Sequence, residues 1–150
     1  MKLSTKSTYG LRALIDLAVY SEEEIVSISS IATRENISLS YLEQLVAKLK
    51  KAGLVVSIRG AGGGYQLARE ASEISVGDIL RALEGNLEAV KCPGLSNSCE
   101  EADMCVTKFV WGKINNAITV AVDEITLEQI VNERKRIFAN GAKNISECQN

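Results

Sequence analysis

The first half of the chain places its apolar residues at helical spacing and then changes to an extended run. Within 8–20, Leu11, Leu14, Ile15, Ala18 and Val19 fall at i, i+3, i+4, i+7 and i+8, one apolar stripe of an amphipathic helix. Glu22-Glu23-Glu24 follows as a solvated turn. A second, shorter helix is expected from Ser27 or Ser29, whose hydroxyls suit an N-cap, to about Asn36, with Ile31 and Ala32 inward. A third is expected from Ser38 or Ser40, and Ser40-x-x-Glu43 has the form of a capping box. Leu42, Leu45, Val46 and Leu49 give it a buried stripe, and Gly53 suits its end.

Residues 54–59 (LVVSIR) are rich in β-branched side chains and predict a strand. The run Gly60-Ala61-Gly62-Gly63-Gly64 and then Tyr65-Gln66-Leu67 complete a β-hairpin. Residues 75–84 predict a short helix that buries Val76, Ile79, Leu80 and Leu83 and ends at Gly85. Pro93, Gly94 and several small polar residues make 91–105 a loop. Beyond it, Val106, Phe109, Val110, Ile114, Ala117, Ile118 and Ala121 stand at helical spacing over 106–122. Thr126-x-x-Gln129 opens a last helix that is expected to reach about Phe138, leaving 139–150 as a flexible tail.

Three short helices and a glycine-tipped hairpin are the order of a winged helix-turn-helix. The fold class expected is therefore mainly α with a small β-hairpin. A helix fits the major groove of DNA, and its first turns reach base edges. Here those turns carry Ser38, Ser40, Tyr41, Glu43 and Gln44. Gln can pair twice with adenine, Glu can accept from cytosine, and Ser can serve either role. Lys48, Lys50 and Lys51 lie further along, within reach of phosphates. Arg59 precedes the Gly62-Gly63 tip, where a wing can lower arginine into the negative potential of the minor groove.

The charge distribution changes how the composition is read. The net charge of −2 looks wrong for a DNA binder. Yet residues 1–69 hold nine Lys/Arg against six Asp/Glu, and residues 70–150 hold eight against thirteen. A basic front half and an acidic back half fit a DNA-facing module joined to a sensing or oligomerising one. With 150 residues and 46% apolar content, the chain can bury a core. It has no apolar run of the roughly 18 residues that a membrane span needs, and its N-terminus has no continuous apolar stretch of a signal peptide. A cytoplasmic protein with reduced thiols is expected. There is no histidine, no Ser/His/Asp set, no phosphate loop and no paired-carboxylate motif, so no enzyme activity is expected.

Cys92, Cys99 and Cys105 lie within fourteen residues. Clustered thiols point to a metal site, a disulfide framework or a redox switch, and a reducing compartment disfavours the second. Without histidine, anything that completes such a site is carboxylate, amine, a fourth thiol, backbone, water or a partner chain.

Three segments, MKLSTKSTYGLRAL, LSYLEQLVAKLKKAGLV and RGAGGGYQLAR, resemble the corresponding parts of iron–sulfur cluster regulators of the IscR type. They also resemble the wider family of bacterial winged-helix repressors, which includes cysteine-metabolism regulators (CymR) and nitric-oxide sensors (NsrR). The resemblance covers roughly residues 1–138. It implies a homodimer on a two-fold double-stranded DNA operator, with the third helix in the major groove and Arg59 in the wing. It implies that 106–122 is a long dimerisation helix whose apolar face the partner buries. It also implies a [2Fe-2S] cluster on Cys92, Cys99 and Cys105, just before that helix.

Two departures matter. Six residues separate Cys92 from Cys99, one more than in the IscR pattern, and Lys108 stands where that pattern has a histidine. The fourth ligand is therefore open between Lys108, the loop carboxylates Glu100, Glu101 and Asp103, and Cys148. The carboxylate that NsrR-like proteins take from the partner's first helix falls near Thr8 here. An amine must lose its proton to bind metal, whereas a carboxylate need not.

The expected organisation is a DNA-binding domain over 1–85, a cysteine loop over 86–105, dimerisation helices over 106–138 and a tail over 139–150. The expected function is a transcriptional regulator, a repressor by family, whose operator binding responds to the cluster and which controls iron–sulfur assembly or related stress genes. The alternatives are a zinc-braced or metal-free thiol switch, and a cysteine-metabolism type of repressor controlled by a protein partner.

Overall fold

The computed structural model describes residues 3–148 except Asn97 and Ala102, and for 142–148 the backbone alone. Among the described residues six helices and one hairpin follow in order: α1 (Thr5–Tyr20), α2 (Ile28–Glu35), α3 (Leu39–Lys51), β1 (Val55–Ile58), β2 (Gly64–Leu67), α4 (Val76–Glu84), α5 (Val106–Asp123) and α6 (Leu127–Cys148). Short 3-10 turns lie at Ala71–Glu73 and Pro93–Ser96.

Serine hydroxyls start the helices of the front half. Ser4, Ser27 and Ser38 cap α1, α2 and α3, and Ser75 forms a full capping box with Asp78 on α4. For α3 the cap is Ser38, whose Oγ accepts from the Tyr41 N–H at 3.3 Å. Ser40 lies inside the first turn, so the Ser40/Glu43 capping box does not form. The choice follows from burial: Ile37 and Leu42 both sit in the core, on either side of Ser38, and staple the chain's entry there. Asn36, in the left-handed region at φ 52°, closes α2.

The core is built where the apolar stripes meet. Leu14 and Leu17 of α1, Ile31 of α2, Leu42, Leu45 and Leu49 of α3, Val55 of β1 and Ile79 and Leu83 of α4 are all buried in one cluster. On α1 the buried centre is Ala13, Leu14, Leu17 and Ala18, with Leu11, Ile15 and Val19 on its margins. This helix is central, packed by α2, α3, α4 and α6, so its buried face is wider than one stripe. Leu127 and Val131 of α6 also enter this core. The first turns of α6 therefore pack into the same unit as α1 to α4, although the chain between them and α4 holds the cysteine loop and α5.

The wing is an antiparallel pair in the register Val55↔Leu67 to Ile58↔Gly64. Gly60 takes φ 117°, which side chains rarely adopt, and the Gly63 N–H donates to the Gly60 carbonyl at 3.0 Å. A Cβ at Gly63 would strike the Ile58 and Gly60 backbone. Tyr65 also pairs with Val26, tying the wing to the α1–α2 connection.

The last helix differs from the expectation that it stops near Phe138. It carries on to Cys148, through the stretch expected as a flexible tail. Ala139, Ala142 and Lys143 are good helix formers, and Gly141 alone costs only about 1 kcal/mol. Residues 149 and 150 lie outside the described residues.

Candidate nucleic-acid interface and cysteine loop

Burying Leu42, Leu45, Val46 and Leu49 turns the opposite face of α3 outward. Ser38, Ser40, Glu43, Gln44 and Lys51 are exposed on that side, and Tyr41 is half-buried at its edge. The Tyr41 hydroxyl lies 3.4 Å from Thr5 Oγ1, and its ring stands edge-on to Tyr9 with centroids 6.0 Å apart. The start of α1 thus adjoins the start of α3, a juxtaposition that sequence reasoning missed.

A carboxylate holds that end of α1 in place. Glu84, at the end of α4, accepts from the Ser4 hydroxyl, from the Ser7 hydroxyl at 2.6 Å and from the Ser4 N–H at 3.0 Å. The Ser4 hydroxyl, followed by that of Ser7, pulls the Glu84 pKa down to about 2.

The basic residues divide into two groups. Lys48 Nζ donates to the Leu83 carbonyl at 3.2 Å, at the negative end of α4. Lys50 Nζ donates to Ser57 Oγ at 2.8 Å. Both lysines are thus engaged within the protein. Lys51, Arg59 and Gly62 are exposed, and Gly63 is half-buried in the wing turn.

A second charged cluster is built on two buried carboxylates, Asp16 and Glu35. Asp16 is 0% exposed and is gripped by Arg34, with Nε 3.0 Å from both carboxylate oxygens and Nη2 2.7 Å from Oδ2. Arg12 Nε donates to Glu35 at 2.9 Å. Arg134 of α6 reaches both acids, at 3.8 Å from Asp16 and 3.7 Å from Glu35. These five side chains join α1, α2 and α6. The one signal in the sequence was an aspartate inside the apolar pattern of α1, between Ile15 and Leu17.

The cysteine loop leaves α4 and ends at the residue that precedes α5. Cys105 is the N-cap of α5, and its Sγ lies 3.0 Å from Thr107 Oγ1. The Thr107 hydroxyl, then the Lys108 backbone N–H, lower the Cys105 pKa and favour its thiolate. Cys105, Asp103, Lys108 and Phe109 line one depression. Cys92 lines another with Glu88, Lys91 and Pro93, and Leu95 borders both. Cys99, Glu100 and Glu101 are exposed. Thr8 is exposed on α1, and the Cys148 side chain lies outside the described residues.

Cys92, Cys99 and Cys105 are free thiols, and no set of three Cys, Asp or Glu side chains among the described residues is gathered for a metal ion. By chemistry the donors suit an iron–sulfur group, with three thiols on one loop and a carboxylate and an amine beside the third. By position the loop holds them apart.

No residue of α5 is buried. Val106 is 80% exposed and Phe109 67%, and Val110, Ile114 and Val120 share in the exposed apolar surface. On α6, Ile137 and Phe138 are exposed as well, beside Arg12 and Ile15 of α1. Among the described residues no helix is long and apolar enough to cross a membrane.

Known proteins share this fold and much of this sequence. Residues 3–133 match the Rrf2 family, described as an iron-dependent transcriptional regulator. The HTH-type transcriptional regulator IscR of Pectobacterium atrosepticum is 42% identical over 135 residues, covering 90% of this chain and 82% of the relative. IscR of Vibrio atlanticus is 38% identical over 150 residues, covering 100% and 86%. Among solved structures, CymR, the global cysteine regulator of B. subtilis, superposes with a TM-score of 0.74 at 42% identity, covering 89% of this chain and 98% of that one. IscR of T. potens gives 0.71 at 46%, covering 89% and 88%. These relatives are DNA-binding transcriptional regulators rather than enzymes, and their winged-helix fold is the one found here. On sequence and fold alike, the chain belongs to the Rrf2 family of transcriptional regulators.

Proposed function

We propose that this regulator binds a two-fold operator as a homodimer, and that an iron–sulfur cluster on Cys92, Cys99 and Cys105 controls that binding. The observation that carries the reading is the place of Cys105. One residue is both a candidate ligand and the N-cap of α5, a helix with no buried residue of its own. Any change in the loop is therefore delivered to the first turn of the helix best suited to join two protomers. Reading heads joined through such a helix must match the spacing of two operator half-sites.

Within the head, the exposed Ser38, Ser40, Glu43 and Gln44, with Tyr41 at the edge, read bases. Lys51 contacts phosphate, and Arg59 with Gly62 and Gly63 forms the minor-groove wing. Asp103 and Lys108 share the depression of Cys105 and are the candidates for the fourth ligand. When bound, the cluster supplies a centre whose loss or oxidation changes the loop. The family's description as iron-dependent supports this reading.

The test is the absorbance of anaerobically purified protein. A visible thiolate-to-iron band that Cys92→Ala removes is the expected result. A colourless, iron-free protein that also refuses a reconstituted cluster would refute the cluster. The similarity to CymR then favours a repressor governed by thiol oxidation or by a bound protein partner.

A further inference from the structure

Asn115 sits on the third turn of α5, beyond any stretch assigned to ligands or DNA. Its side chain grips the loop that leads to the first cysteine. Oδ1 accepts from the Ala89 N–H at 2.9 Å and from the Val90 N–H at 3.5 Å, while Nδ2 donates to the Val90 carbonyl at 3.2 Å. An amide that accepts and donates to successive backbone groups replaces a stretch of strand pairing, and this one is half-buried. It lies in a depression with Leu87, Glu88 and Leu95, and Glu88 and Leu95 also border the Cys92 depression. Only Lys91 separates Val90 from Cys92. The cysteine loop is thus fixed to α5 at both ends, at Val90 through Asn115 and at Cys105 through the N-cap.

We propose that Asn115 is the positioning residue of the cysteine loop, holding the approach to Cys92 against the flank of α5 so that the entry of the loop and the helix move as one. Without it, the entry of the loop is held less firmly to α5, and Cys92 gains freedom while Cys105 does not. Its bearing on the cluster rests on the function proposed above; the tether itself does not.

The experiment uses the full-length, reduced, metal-free protein and reads iodoacetamide alkylation at each cysteine by mass spectrometry. Asn115→Ala should speed alkylation of the half-buried Cys92 roughly tenfold, the effect of losing two or three modest hydrogen bonds on local opening. Cys105 should change by less than about twofold, because its own cap is untouched. Asn115→Asp keeps both accepted N–H bonds and should fall between wild type and alanine. An unchanged Cys92, or equal acceleration of Cys92 and Cys105, overturns the proposal, the second because it marks general loosening. In protein with a reconstituted cluster, Asn115→Ala should bleach faster in air, and slower bleaching would also overturn it. If no cluster forms at all, the alkylation result still decides the tether.

Discussion

The reading head and α5 are built on opposite principles. In the head each helix is capped by a serine hydroxyl, its apolar stripe is buried, and its innermost charge, Asp16, is met by arginine. Among the described residues no buried side-chain polar atom lacks a partner. By contrast α5 follows a cysteine in the cap position rather than a serine, and none of its residues is buried. The head closes on itself. The apolar side of α5 stays exposed, and the residue that caps it is a free thiol whose pKa is lowered. Under the proposed function, this difference separates a rigid reader from a joining element whose geometry depends on what is bound to it.

The largest expected effect strikes α5. Ile114→Asp places a charge in its exposed apolar face, and sedimentation velocity should show monomers. Operator affinity should fall by about 100-fold or more, as linkage of two heads is lost, while the head's thermal transition is retained. A variant that stays dimeric would show that the interface lies elsewhere. Next is the head's buried charge. Asp16→Ala leaves Arg34 without its partner and should cost about 3–5 kcal/mol in urea unfolding, against under about 0.5 kcal/mol for the exposed Asp103→Ala. Similar costs at the two sites would erase the contrast drawn here.

Arg59→Ala should weaken operator binding by about 1–3 kcal/mol in gel-shift titration at fixed salt. Lys51→Ala should lower the salt slope by about one, and Lys48→Ala should leave it unchanged, because Lys48 already serves the end of α4. Equal slopes for the two lysine variants would contradict the division of the basic residues.

The smallest effect concerns Glu84. Its pKa is held at about 2, below the usual 4.5, so its stabilisation is complete above about 4.5 and drains away as pH falls toward 2. Glu84→Gln should cost about 1–2 kcal/mol at pH 7 and flatten the acid limb of the stability curve between those values. An unchanged acid limb would mean that the Ser4–Glu84–Ser7 contact does not form in solution.

Much of the head was legible from periodicity. Leu42, Leu45, Val46 and Leu49 are the buried face of α3, and Val76, Ile79, Leu80 and Leu83 that of α4. Caps were legible as pairs of candidates: Ser27 or Ser29, Ser38 or Ser40. Burial of Ile37 chose Ser38. The site was legible as a set of residue types and less so as an arrangement. Lys48 and Lys51 look alike in the chain, and a carbonyl thirty-five positions away separates their roles. Arg134 and Asp16 belong to one charge cluster that no local pattern announces.

Local propensity and apolar spacing, which act over a few residues, settled the helices, the wing and the order of the winged helix-turn-helix. Motif similarity added the family. What lay beyond their range was every relation between distant segments: Asp16 and Glu35 with Arg134, Glu84 with Ser4 and Ser7, and Asn115 with the approach to Cys92. Those pairs exist because polar groups carried inward by packing must find partners wherever the fold brings them. The apolar face of α5 belongs to both levels. Its spacing predicted a helix, and the chain's own core, filled instead by Leu127 and Val131 of α6, left that helix without a fully buried residue.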